Sequence, residues 1–217
     1  MKTYTVRRAP ADIDVPAAFY APQWKEAEVA RIDEYPWFKD GEKQNTDVRM
    51  LYTPDALHVL FDATDAHISA DPRELNGSVC ADSCVEFFAS PWPEHGPDYF
   101  NCEINCCGRL HLGFGPHRME RRLVTPALAA RIGIRSTFAG PTKAELPADQ
   151  RWQIYVRIPR DLLNDFCGKP VAFSGSWRAN LYRCGGKTNA QYACWNPVGT
   201  PRPDFHVPEY FGQLVFA

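Results

Sequence analysis

Alternation of apolar and polar residues with a period of two dominates this chain. Over 152–158 it is unbroken: Trp152, Ile154, Val156 and Ile158 take one side, and Gln153, Tyr155 and Arg157 the other. The same rhythm sets Leu57, Val59 and Phe61 on one face of a strand over 57–62. A second apolar run over 48–52 is separated from it by Thr53-Pro54-Asp55-Ala56, a turn signal, so the two predict a hairpin. Over 83–88, Val85 and Phe87 oppose Glu86 and Phe88; over 99–105, Cys102 and Ile104 oppose Asn101, Glu103 and Asn105. Over 173–184, Trp177, Ala179 and Leu181 oppose Arg178, Asn180 and Tyr182. Further strands are expected over 109–114, 192–195 and 213–216, and a short helix from Pro159 to about Gly168. Residues 1–44 carry Pro10, Pro16, Pro22 and Pro36 and read as an irregular lead-in, with at most a helical turn over 25–32. The stretch 118–150 has the weakest pattern and fits either a strand or a long excursion. About nine short strands with little helix predict an all-β fold, a jelly-roll-type antiparallel β-sandwich, as one domain over 1–217.

Composition narrows the function. A hydrophobic share of 45% against 23% charged residues excludes a disordered chain. Lys plus Arg is 24 and Asp plus Glu is 26, a net charge of −2, which argues against a nucleic-acid partner held through its phosphates. No run approaches the roughly 20 apolar residues that span a bilayer, so no membrane partner is expected. Thr3, Arg7, Arg8 and Asp12 interrupt the N-terminus before any signal-length apolar run develops, which reads as a cytoplasmic protein; a signal already removed would make it secreted. Eight cysteines, several at apolar strand positions, read as reduced structural thiols. Cys80 and Cys84 with Cys106 and Cys107 lack the paired CxxC spacing of structural zinc sites.

Enzyme signatures are scarce: the chain has no GxSxG, HExxH or GxxxxGK[ST]. Its six histidines are scattered. The expectation is therefore a binding protein rather than an enzyme. The alternative activity is glycosyl hydrolysis, with Glu86 and Glu103 as a carboxylate pair flanking a glycosidic bond. A second alternative is a haem-binding sandwich module with Met50, Met119 or histidines as axial ligands, although no CxxCH is present. The polar strand faces, with Glu86, Asn101, Glu103, Asn105, Arg178, Asn180 and Tyr182, carry planar carboxylate, amide and guanidinium groups. These match vicinal hydroxyls of a sugar, and Phe100, Tyr182, Phe205 and Trp92 are available to cover its C–H faces.

Three stretches in register, Asp82-Ser83-Cys84-Val85-Glu86-Phe87-Phe88, Trp177-Arg178-Ala179-Asn180-Leu181-Tyr182-Arg183, and Trp195-Asn196-Pro197 followed by Phe205-His206-Val207-Pro208-Glu209-Tyr210-Phe211-Gly212, resemble carbohydrate-binding module family 9. The preceding Leu57–Asp65 segment is similar to that family's strand before its binding loop, and the likeness covers about residues 45–217. The resemblance implies a bacterial jelly-roll module of polysaccharide catabolism that grips a sugar chain end between two aromatics. It implies ligand-binding roles for Glu86, Arg178, Arg202 and Phe205, with Phe100 or Asn101 beside them, and the polar strand face adds Asn180 to the expected ligand-binding set. The family's first clamp tryptophan falls on Cys80, and its arginine near the 99–105 strand falls on Phe100 or Asn101. It also implies structural calcium, for which Asp62, Asp65 and Asp82 offer hard oxygen donors. The expected partner is thus a saccharide, and no other cofactor is expected.

Overall fold

The computed structural model describes residues 1–138, 140–142, 144–146, 150–185, 187 and 189–217. Thirteen strands form among them: β1 (Thr3–Arg8), β2 (Ala30–Arg31), β3 (Thr46–Tyr52), β4 (Ala56–Asp65), β5 (Cys84–Ser90), β6 (Tyr99–Asn105), β7 (Leu110–Gly115), β8 (Arg122–Leu123), β9 (Gly133–Ser136), β10 (Gln150–Pro159), β11 (Ser176–Cys184), β12 (Tyr192–Cys194) and β13 (Gly212–Phe216). The order β8-β7-β6-β5-β11-β13 makes one layer and β3-β4-β10-β9 the other. Strand β1 joins them, because Thr3–Val6 run parallel to β13 while Arg7 and Arg8 run parallel to β3. All other pairings are antiparallel, and the doubled sheet is a β-sandwich of jelly-roll type.

One core fills the space between the layers. Trp152, Ile154 and Val156 from β10 meet Val85, Phe87, Trp177 and Leu181 from β5 and β11 there, as the alternation predicts. The predicted hairpin is β3–β4, closed by Thr53 N–H donating to the Ala56 carbonyl at 2.8 Å. The predicted helix spans Arg160–Cys167 and ends at Gly168, whose φ of 69° is left-handed and suits a residue without Cβ.

The lead-in departs from expectation. It contains β1 and two short 3-10 helices, Val15–Tyr20 and Pro22–Glu26, rather than irregular chain. Tyr4 and Val6 enter the main core, and Ile13, Ala18 and Trp24 cover the outer face of β10. Tyr155, placed outside by its period, is therefore buried and donates its hydroxyl to the Ile13 carbonyl at 3.1 Å. The weak stretch holds β8, one helical turn (Pro126–Ala129) and β9; residues 139, 143 and 147–149 of it lie outside the described set. Among the described residues no helix is long and apolar enough to cross a membrane. All eight cysteines are free thiols, and Cys84, Cys102, Cys106, Cys167, Cys184 and Cys194 are buried.

Candidate sugar-binding cleft

The outer face of the β6-β5-β11 layer is a second interior. A chain segment running from β12 to β13 folds across it, and Phe205 and Phe211 pack there on Phe88, Tyr99 and Tyr182. Polar residues that alternate outward on these strands are thus enclosed, which periodicity alone does not reveal. Register then fixes their neighbours: Glu86 lies opposite Glu103 on one side and Tyr182 on the other. Directly paired strand positions hold their Cβ atoms about 4.5–5.5 Å apart, so the two glutamates stand side by side.

They form the floor of a cleft of about 370 Å³, whose walls include Cys80, Cys184, Arg118, Tyr192, Asp204, Phe205 and His206. Glu86 is only 2% exposed and Glu103 6%. Glu86 accepts a hydrogen bond from the Cys184 thiol at 3.2 Å, and Glu103 accepts one from Asn101 Nδ2 at 2.8 Å. Burial pushes the Glu86 carboxyl well above its usual range, and repulsion from Glu103 adds to it; the Cys184 bond and Arg118 offset only part. Burial raises Glu103 as well, against the pull of His111, Asn101 and Arg118. Two such carboxyls cannot both ionise cheaply, so the pair holds on to a proton above the usual carboxylate range. The floor consequently offers several acceptor oxygens and one O–H donor, a set that matches hydroxyls, which both donate and accept.

Arg118 forms the rim with Asp204 through a 2.6 Å ion pair that ties the loop after β7 to the loop bearing Phe205. His206 Nδ1 lies 2.8 Å from the Tyr99 hydroxyl. Burial, with Arg118 and Arg121 nearby, pushes its pKa down to about 3, so the ring is neutral at physiological pH. Tyr192, 40% exposed, presents the open aromatic surface of the cleft.

Of the residues expected at the site, Glu86 is on the floor and Phe205 on the wall. The stacking role of Phe205 needs correction: it is 7% exposed, one face lies on Tyr182 at 4.0 Å between centroids, and Trp37 packs at 5.9 Å. Phe100 is a core residue, edge-on to Phe87 and Trp177, because its position alternates inward. Asn101 is buried beneath Arg121, which donates Nε–H to its Oδ1 at 3.1 Å. Asn180 is consumed by the segment that covers it, donating to the Asn196 carbonyl at 2.9 Å and accepting from the Asn196 amide at 2.8 Å. Arg178 lies opposite Ser90, four register steps from Glu86 and roughly 13 Å along the strands. Its guanidinium donates to the Phe211 and Gly212 carbonyls, so no Glu86–Arg178 pair forms. Arg202 lines a separate cavity. Trp92 is also elsewhere, donating to the Pro170 carbonyl at 2.9 Å.

Sequence reasoning missed Arg118, Tyr192, Asp204, His206 and Cys184 as wall residues. Tyr192, heading a predicted strand, and Cys184, in phase with Tyr182 at the end of another, carried a signal; Arg118, Asp204 and His206 depend on how loops fold over the layer.

Asp62 is held by Arg151, Asp65 by Arg183, and Asp82 by Arg73 at 2.9 Å and Asn105 at 2.9 Å. Each carboxylate already has a guanidinium partner, and among the described residues no three His, Cys, Asp or Glu side chains gather as metal ligands. These residues do not fit calcium. Met50 is sealed in the core and Met119 is fully out in solvent, so neither flanks a haem-sized cavity.

The model of carbohydrate-binding family 9 matches residues 20–216. The chain belongs to carbohydrate-binding family 9. A crystal structure of a proposed carbohydrate-binding protein from Bacteroides uniformis is similar at 26% identity, with 100% of this chain and 99% of that one covered and a TM-score of 0.89. Two structures of a family 9 module from Caldicellulosiruptor kristjanssonii share the fold. The cellotriose complex is 12% identical, with 99% and 93% coverage and a TM-score of 0.64; the glucose complex is 13% identical, with 100% and 96% coverage and a TM-score of 0.62. Among curated proteins none matches this chain. Within the family 9 frame, Cys80 stands on the cleft wall at the position where the resemblance expects a clamp tryptophan.

Proposed function

We propose that this family 9 protein binds the end of a neutral saccharide in the Glu86–Glu103 cleft, without cleaving it. The observation that carries this reading is Glu86 itself. A carboxyl buried to 2% exposure on a cleft floor, holding only a thiol hydrogen bond at 3.2 Å, has acceptor capacity that the protein leaves unmet. A sugar hydroxyl meets it. The cleft of about 370 Å³ suits one ring, with Tyr192 against a C–H face and the Arg118–Asp204 pair at the rim. The hydrolase alternative would use the same Glu86–Glu103 pair, so release of an aglycone is what separates the two readings.

The clamp is weaker than the resemblance implies, since Cys80 replaces one aromatic and Phe205 is already stacked on Tyr182. We expect millimolar affinity, about −4 kcal/mol. The structures named with glucose and cellotriose make those sugars the first probes. Calorimetric titration of wild type, Glu86→Ala and Tyr192→Ala should show heat in the wild type that both variants lose while remaining folded. Equal binding by all three would move the sugar elsewhere. Release of aryl aglycones that Glu103→Gln abolishes would replace the binder with a hydrolase.

A further inference from the structure

Beside the first cleft lies a cavity of about 490 Å³ walled by Trp37, Phe38, Tyr192, Arg202 and Pro203. Tyr192 and Pro203 line both, so the two depressions adjoin across a single aromatic wall. We infer that this second cavity is a subsite for the following rings of a saccharide chain whose end occupies the Glu86–Glu103 cleft. The inference rests on the reading of the first cleft given above.

Its aromatic surface is unusual for solvent. Phe38 is 39% exposed and Tyr192 40%, and both belong to a short set of large apolar side chains left open. Neither hangs loosely. Phe38 meets Tyr35 edge-on at 6.2 Å and carries the Lys43 ammonium 4.6 Å from its ring centre. Trp37, on the same wall, donates Nε1–H to the Thr200 carbonyl at 2.7 Å and leans on Phe205. Rings held this way lose little rotamer freedom when a ligand docks, which makes them effective contact surface.

The polar complement is Arg202. Among the described residues its guanidinium makes no protein hydrogen bond or ion pair; only its backbone carbonyl is used, accepting from Thr200 Oγ1 at 2.8 Å. A planar fork of five N–H donors suits adjacent hydroxyl and ring oxygens. Charge points to the class of occupant. The first cleft has an acidic floor, whereas Lys39 and Arg202 outnumber Asp40 in the second. A chain of fixed charge would be favoured in one and opposed in the other, while an uncharged polyhydroxyl chain crosses both. Trp37 and Phe38 come from the lead-in, so the N-terminal segment contributes directly to recognition.

The test is calorimetric titration of wild type, Phe38→Ala and Arg202→Ala with glucose, cellobiose and cellotriose, and with the matching xylose and mannose series. For the series that binds, the trisaccharide should bind wild type about tenfold more tightly than the monosaccharide. Both variants should lose most of that gain and keep monosaccharide affinity within about twofold. Monosaccharide binding with no gain from chain length, or a gain that survives both substitutions, overturns the subsite alone. No heat with any member of the three series overturns the first cleft and this inference with it.

Discussion

Replacing Glu86 with Gln should make the protein more stable and less functional, and the stability gain should grow with pH. Glu86 is 2% exposed, faces Glu103 across the β5–β6 register, and accepts only a thiol hydrogen bond. Its folded pKa is raised by burial and by Glu103. The native state therefore holds a proton that the unfolded chain releases above about pH 4.3. Wherever the native state binds more protons, unfolding free energy falls as pH rises. The stabilising contribution is complete below the unfolded value and is lost as pH climbs through the raised folded value. Each retained proton gives a slope of about 1.4 kcal/mol per pH unit. For a chain of this size that is about 4 °C in Tm per unit. Gln keeps the shape and cannot ionise, so the proton that Glu86 retains no longer contributes to the pH dependence. Melting curves at intervals from pH 4 to 8 should show wild type and Glu86→Gln together at the acid end. They should separate by about 4 °C per unit above it until Glu86 ionises in the folded protein, with the variant higher. The same variant should lose sugar heat. Parallel melting curves across the range would refute the proton-sharing floor.

Two further outcomes follow from the geometry. Arg183→Met should cost about 3–5 kcal/mol, because it strands Asp65 in a fully buried pair that also stacks on Trp152; chemical denaturation measures it, and a loss below about 1 kcal/mol would show that water reaches the site. Phe100→Ala should cost about 3–5 kcal/mol as a core cavity yet leave the sugar affinity of the folded fraction unchanged, whereas loss of affinity with little loss of stability would return Phe100 to the site.

The strands were legible because two faces of the sandwich impose a strict period. β6 falls over 99–105 as predicted, and β10 extends its predicted run by only a residue or two at each end. Strand β1 was not legible: Tyr4 and Val6 alternate, but Arg7, Arg8 and the prolines beyond obscure a pairing whose partner, β13, lies at the far end of the sequence. The site divided in the same way. Glu86 could be found because its strand position is local information. Arg178, Asn180 and Asn101 share that polar face, yet the 195–211 segment and Arg121 occupy them, and local pattern carries no trace of that cover. Phe100 shows the opposite failure: the alternation that put Cys102 and Ile104 inside also put Phe100 inside, yet the need for an aromatic against a sugar face, and then the resemblance, drew it to the surface.

The parallel placement of β1 between β13 and β3 has a bearing on how the protein is made. Thr3–Val6 find their sheet partner in Gln213–Phe216, so β1 pairs with a strand that is made much later in synthesis. The two layers cannot be locked together through β1 until β13 exists. Folding therefore includes a long-range closure, the slow and aggregation-exposed kind. A chain stopped before residue 212 would carry both halves of the core and an open seam between them.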